Sequence, residues 1–383
     1  MARLGDICTI YTGTGFPVQY QGCSQGRYPF YKVGDIAKNV IAGNIYLEFC
    51  DNYVDADVVK KIKGNILPDR TVVFAKIGEA VKLNRRAITS CECLIDNNAM
   101  GISPNEDIVT LDYFFYYMCS LRLETLAEAT TVPSVKKSLI EKLEIPLPSV
   151  SEQERISERL HKVSELIALR KEQLAKLDQL VKSRFVEMFG DVPNEEKVTM
   201  ADICVIITDG THQPPKFTSS GIPFLFVSNI VSNEITYDAE KFISEETYAG
   251  LIKRTPIAIG DILLSTVGSY GHPAIVKSDR PFCFQRHIAY LKPNLNMVNS
   301  EYLRGAILST DVQRQIDERV KGIAQKTLNL SEIRKIRLPL PTLERQRQFA
   351  AFIEQTDKSK LTIQASLDKL ELLKKSLMQQ YFG

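Results

Sequence analysis

Lys60, Lys61 and Lys63, followed by Lys76, Lys82, Arg85 and Arg86, lie in glycine-punctuated, β-rich sequence near the start of this 383-residue chain. Loops leaving a β scaffold can carry lysine and arginine to phosphates, and arginine can bond the edge of guanine through two parallel donors. A merely solvated surface uses the same residue types, so both readings of this group stay open. Catalytic constellations are harder to find. None of the four histidines stands in a His-Glu-x-x-His spacing, and no Gly-x-x-x-x-Gly-Lys-[Ser/Thr] loop is present to hold nucleotide phosphates. Gly13-Thr14-Gly15 is too short for a dinucleotide loop. Pro68-Asp69 is not followed in its domain by the Asp/Glu-x-Lys of a nuclease, and no Asn/Asp-Pro-Pro-Tyr/Phe segment suggests an amino-methyltransferase. The expectation is a chain with no catalytic residues, no metal and no cofactor.

The elements that must position such side chains occur twice. Pro146-Leu147-Pro148-Ser149, Glu152-Gln153 and Phe189-Gly190 return as Pro339-Leu340-Pro341-Thr342, Arg345-Gln346 and Phe382-Gly383, with the same offset at both ends. The segments before these stretches repeat more loosely. Tyr28-Pro29-Phe30 answers to Ile222-Pro223-Phe224, Val72-Val73-Phe74 to Ile262-Leu263-Leu264, and Pro104-Asn105 with Tyr113 to Pro293-Asn294 with Tyr302. An internal repeat of this kind predicts pseudo-two-fold symmetry, suited to a ligand that is itself two-fold symmetric, with duplex DNA first among them.

The clearest local signal is a pair of long helices. Ile156, Leu160, Val163, Ile167, Leu174, Leu177, Val181 and Met188 step by threes and fours, with Arg170 and Arg184 interrupting. Phe349, Ile353, Ile363, Leu367, Leu370, Leu377 and Tyr381 do the same, interrupted by Thr356, Lys360 and Lys374. Ser151 with Glu154 reads as a capping box, and the prolines upstream block extension backwards. About forty residues at a rise of about 1.5 Å give each helix a length of about 55–60 Å. Neither can bury its own stripe, so the two are expected to pair antiparallel. The predicted organisation is a mixed α/β (α+β) chain. Residues 1–145 form a first globular domain, 146–190 a first helix, 191–338 a second globular domain and 339–383 a second helix.

Composition agrees with a globular protein: 44% of residues are hydrophobic, and net charge is only +2. No apolar run approaches membrane-spanning length and no charged-then-apolar start occurs, so no membrane association and a cytoplasmic location are expected. The eight scattered cysteines read as buried free thiols.

Two diverged domains alternating with two near-identical long helices, each entered through Ile/Leu-Pro-Leu-Pro-[Ser/Thr], resemble the specificity subunit of a type I restriction–modification system. Supporting strings are Asp209-Gly210-Thr211-His212-Gln213-Pro214-Pro215, Gly260-Asp261-Ile262-Leu263-Leu264-Ser265-Thr266-Val267-Gly268 and Gln285-Arg286-His287. The first domain departs from them, with Arg70-Thr71-Val72-Val73-Phe74 and Asn97-Asn98 in the corresponding places. The resemblance implies a non-catalytic subunit whose two target-recognition domains each read one half of a split double-stranded DNA sequence. It also implies helices that fix the gap, two methyltransferase subunits using S-adenosylmethionine, and two restriction/translocase subunits.

Beside that resemblance, Lys216, Ser265, Thr266, Ser269, Tyr270, His272, Gln285, Arg286 and His287 are the DNA-contact candidates of the second domain. Glutamine can bond adenine and arginine guanine, while serine and threonine suit bases or phosphate. Arg286 and His287 are assigned to DNA, whereas His212, in a turn sequence, is assigned a structural role. The charged seam residues Arg170, Arg184, Lys360 and Lys374 are expected to set helix register, and Glu158, Glu165 and Glu172 to face solvent. The alternative function is a coiled-coil interaction scaffold whose globular domains bind protein or small ligands.

Overall fold

The computed structural model describes residues 1–126, 133–190, 193, 196–322 and 325–383. The expected domain start at residue 191 lies outside the described residues. The chain divides into two compact units, Met1–Lys171 with Ala365–Gly383 and Glu172–Gln364. Each contains one globular domain together with a stretch of both long helices.

In the first unit, the apolar run Val72–Ala75 forms an inner strand of a four-stranded antiparallel sheet. The strand order is Cys8–Thr12, Ala99–Pro104, Val72–Ala75, Arg86–Ile88. Val72 and Phe74 pack into one core and Val73 into another, as the two-residue period of a strand requires. Because both faces are covered, the strand reads as an unbroken apolar run instead of an alternation. Tyr28–Tyr31 pairs antiparallel with Tyr53–Val54 and parallel with Leu94–Ile95 to make a second, three-stranded sheet. Ala2–Arg3 and Glu144–Ile145 tie the two ends of the domain together.

The second unit repeats this plan strand for strand. Its four-stranded sheet has the order Cys204–Asp209, Ile288–Pro293, Ile262–Ser265, Pro273–Ile275. Ile222–Leu225 lies between Phe242–Ile243 and Cys283–Phe284, and Val198–Thr199 pairs with Arg337–Leu338. Ile262 and Leu264 face one core and Leu263 the other. The Gly260-Asp261 string serves this sheet. Gly260 takes a positive φ of 91°, and buried Asp261 accepts bonds from the Ala258 N–H, the Tyr290 hydroxyl and the Lys292 ammonium. In the first unit Arg70 takes the corresponding left-handed place at φ 59°, tied by its side chain to Glu106.

The long helices are Val150–Phe189 and Leu343–Phe382, 40 residues each. The first does not start with the expected capping box. It begins at Val150, and Ser149, the serine of the Pro-Leu-Pro-Ser entry, accepts from the Glu152 N–H through its hydroxyl at 3.4 Å. Ser151 is already inside the first turn, where a hydroxyl no longer meets an unpaired N–H. In the first unit, Arg159 donates to the Tyr381 hydroxyl at 3.0 Å and Lys171 pairs with Glu371 at 2.9 Å, so the helix segments run antiparallel. In the second unit, Lys360 reaches Asp178 and Phe185 packs 5.5 Å from Phe349, again antiparallel.

All eight cysteines are free, but not all are buried: Cys93 and Cys283 are, whereas Cys23 and Cys91 are exposed. The expectation of uniformly buried thiols is corrected by these two, which sit in loops outside both sheets. Among the described residues no helix is long and apolar enough to cross a membrane.

Candidate nucleic-acid interface

Two matched sets of contacts build the position from which either domain could meet DNA. The first seats the domain on the long helices. The Gln153 side chain accepts from the Thr110 N–H at 2.8 Å and donates to the Ile108 and Pro148 carbonyls; Gln346 does the same with Asn299, Met297 and Pro341. The Tyr113 hydroxyl donates to the Pro146 carbonyl, and the Tyr302 hydroxyl to that of Pro339. Both glutamines are fully buried. Buried amides held by three bonds fix the angle at which each domain leaves its helix. Sequence reasoning did not assign these roles, although the recurrence of each glutamine and tyrosine at matched places was the available signal.

The second set forms the tip of each four-stranded sheet. Gly13 ends the first strand where an added Cβ would lie 1.7 Å from the Asp96 carbonyl oxygen; at Gly210 the distance to the Phe284 oxygen would be 2.2 Å. Only glycine permits this approach, and it brings Thr14 beside Asp96 and Thr211 beside Gln285. The Lys76 N–H donates to the Asn98 carbonyl at 2.8 Å, as the Thr266 N–H does to His287 at 3.0 Å. The tips are therefore the same backbone carrying different side chains: Asp96-Asn97-Asn98 in one, Gln285-Arg286-His287 in the other.

The second tip gathers part of the expected residue set. A cleft of about 250 Å³ is lined by Thr266, Arg286 and His287 together with Asp209, Gln325 and Thr327, of which Gln325 and Thr327 were not anticipated. Arg286 is exposed, and its Nε donates to His287 Nε2 at 3.4 Å. Burial, then the neighbouring guanidinium, holds His287 below its ordinary pKa, so it is a neutral acceptor at pH 7. Asp209 pairs with Arg254, and His212 Nε2 lies 2.9 Å from it, a contact within the turn. Ser269 and Lys216 are exposed in loops, and half-buried Gln285 pairs through its backbone with Leu225. The Tyr270 hydroxyl donates to Asp317 at 2.9 Å.

Four candidates are buried or half-buried. Ser265 is fully buried and its hydroxyl accepts from the His272 N–H, closing the turn that follows the strand. His272 is half-buried against Asn233 at 3.3 Å, and burial lowers its pKa. Thr266, 5% exposed, contributes wall and not reach. In the first domain Arg86 is 4% exposed, its guanidinium 5.0 Å from the Phe74 ring centroid and bonded to Asn84, with burial pushing its pKa down to about 10. It packs against the sheet.

The remaining first-domain candidates fall into two places. Lys60, Lys61 and Lys63 are exposed at and just beyond the end of the helix Ala56–Lys61, and Lys61 pairs with Asp57. The next loop docks on the tip, Asn65 bonding to the Thr14 hydroxyl and the Thr12 carbonyl at 3.1 Å. Lys76 is half-buried at the tip itself. Lys82, paired with Glu79 at 2.8 Å, and half-buried Arg85 instead lie on the connection where Asn84 bonds to the Cys119 carbonyl. Among the described residues no group of three or more His, Cys, Asp or Glu could hold a metal ion.

Residues 1–179 and 194–372 each match the model of the type I restriction modification DNA specificity domain. The chain belongs to this family. It is thus a DNA target-recognition polypeptide of a type I restriction–modification system, non-catalytic by kind, and the scaffold alternative is not favoured. The EcoBI specificity subunit of Escherichia coli is 23% identical over 328 residues, covering 76% of this chain and 68% of that relative. The MjaVIII specificity subunit of Methanocaldococcus jannaschii is 22% identical over 291 residues, covering 70% and 68%. Among solved structures, the S subunit from M. genitalium shares the fold at a TM-score of 0.54 and 14% identity, covering 100% of this chain and 95% of that one. A structure from work on assembly and conformational transition of the type I R-M system gives 0.57 at 18% identity, covering 100% and 96%.

Proposed function

We propose that the chain reads a split double-stranded DNA sequence in the cytoplasm, one half with each recognition domain, and sets two methyltransferase subunits over adenines in the two halves. Two restriction/translocase subunits join the same assembly for cleavage. The observation that carries this reading is the pair of tips: one backbone, used twice, bearing different side chains. Such an arrangement suits two different base sequences approached in the same way. In this reading residues 1–145 and 191–338 recognise, while residues 146–190 and 339–383 space the halves apart.

Binding free energy divides between salt-sensitive phosphate contacts from Lys60, Lys63, Lys76 and Lys216 and base contacts from the tips. Each good bidentate pair contributes about 1–3 kcal/mol of discrimination. The test is single-molecule methylation sequencing of a methylation-deficient host expressing this chain with its neighbouring methyltransferase subunit. A split motif bearing N6-methyladenine in both halves is expected, present only when this chain is. No chain-dependent methylation, with both proteins soluble and bound together, contradicts the reading. Shortening both helices by matched whole turns should change the gap and leave the half-sites intact.

A further inference from the structure

Beside the second tip, Lys321 and the stretch 326–328 are bonded to one another and to the end of the sheet. Lys321 and Thr327 exchange backbone hydrogen bonds at 3.0 and 2.8 Å, as a hydrogen-bonded antiparallel pair does. Gly322 sits at φ +108°, and a Cβ there would lie 2.3 Å from the Gln325 carbonyl oxygen, so this position requires glycine. The stretch 326–328 is also bonded to the sheet end. The Gly268 N–H donates to the Lys326 carbonyl at 3.1 Å, and the Leu328 N–H donates to Thr266 at 2.8 Å. The backbone is thus paired on both sides while Lys321, Gln325 and Lys326 keep their side chains exposed. Gln325 lines the same cleft as Arg286, and Lys326 lies 5.9 Å from the Tyr270 ring centroid.

We infer that Lys321, Gln325 and Lys326 form a second reading element of the second domain, with Gln325 contacting a base edge beside the base met by Arg286 and with Lys321 and Lys326 holding flanking phosphates. The inference rests on the proposed reading of DNA. A glutamine amide presents a donor and an acceptor in one plane, the pair that adenine N7 and its 6-amino group require in the major groove. Lysine ammonium groups are mobile point charges suited to phosphate and indifferent to sequence. Discrimination by a side chain depends on a fixed backbone near it, and the pairing of Lys326, Thr327 and Leu328 next to Gln325 supplies an anchor.

The experiment uses the complete complex with its methyltransferase subunit, comparing the wild-type chain, Gln325→Ala, Gln325→Glu and the double variant Lys321→Ala/Lys326→Ala. Methylation motifs are read by sequencing, and duplex binding is titrated against salt. Gln325→Ala should relax one position of one half-site by roughly tenfold, with the other half and the gap unchanged. Gln325→Glu, an acceptor without a donor, should turn the preference at that position from adenine towards cytosine. The double lysine variant should weaken binding to all sequences and reduce the log–log salt slope by about two, leaving the motif alone. Unchanged motif and rate in both Gln325 variants, alongside a wild-type split motif, would overturn this assignment and spare the underlying function. No motif with the wild-type chain would overturn both. All three positions are exposed, so unaltered thermal unfolding is expected throughout.

Discussion

Where Leu111–Ser120 meets the long helices, the contact is aromatic; where Ser300–Leu308 meets them, it is partly ionic. Tyr113 and Tyr302 make the same bond to the proline carbonyl, so the helices superpose by register, and Phe115-Tyr116 stands where Arg304-Gly305 stands in the second unit. Phe115 and Tyr116 are buried with rings 5.7 Å apart. Arg304, also buried, bonds to Glu301, Glu234 and Asp357 at 3.0–3.3 Å. The neighbouring difference is compensated. A Cβ on Gly305 would lie 2.5 Å from the Phe349 ring, whereas Tyr116 is matched by a smaller Ile156 at the place corresponding to Phe349. Volume has moved from one partner to the other. The two copies conserve backbone and hydrogen bonds exactly where the domain is aimed, and exchange side chains where packing density alone must be kept.

The largest effects should come from breaking that exchange. Phe349→Ala removes the ring around which Phe185, Phe189 and Tyr302 cluster at 5.1–6.4 Å between ring centroids, and should destabilise the second unit by about 3–5 kcal/mol in denaturant unfolding. Gly305→Tyr alone should also destabilise, by overpacking, and Phe349→Ile should relieve part of that penalty. A double-variant cost equal to the sum of the two single-variant costs would show that the exchange is not a coupled one.

Next in size are the shared locks. Gln153→Ala and Gln346→Ala each remove three bonds to part-buried backbone groups, and should cost about 1–3 kcal/mol in all because water reaches some of those groups. Similar losses are expected in both units, and a loss confined to one would break the equivalence of the two seats. Arg304→Met should cost less, about 1–2 kcal/mol, because its carboxylate partners can reach water. That loss should shrink as salt is raised, whereas Phe115→Leu should be salt-insensitive. The smallest effect concerns pH. His272 and His287 have depressed folded pKa values, so the unfolded chain takes up their protons first. Stability should therefore fall as pH drops below about 6.5, and His287→Gln should flatten the slope measured by thermal unfolding.

The parts that were legible in the sequence obey local rules. Val72-Val73-Phe74 and Ile262-Leu263-Leu264 announce buried strands by composition, and the step of three and four from Ile156 to Met188 announces a helix. Seam residues Ile156, Leu160, Val163, Phe349, Ile353 and Leu367 are buried in the structure, and the other apolar seam positions are half-buried. What escaped depends on partners far along the chain. Gly13 and Gly210 look like ordinary loop glycines until Asp96 and Phe284 press against them. Arg86 and Ser265 look like surface residues until the sheet closes over them. The stretch 326–328 owes its register to Thr266 and Gly268, and no local pattern encodes that pairing.

The central claim is that one scaffold, used twice, makes two separate readings. Its most direct test is to replace the second recognition domain, residues 196–336, with the corresponding domain of another family member and to sequence the methylated motif of the resulting complex. The account predicts that one half of the motif changes while the other half and the gap between them stay as they were. A change in both halves, or in neither, would contradict it.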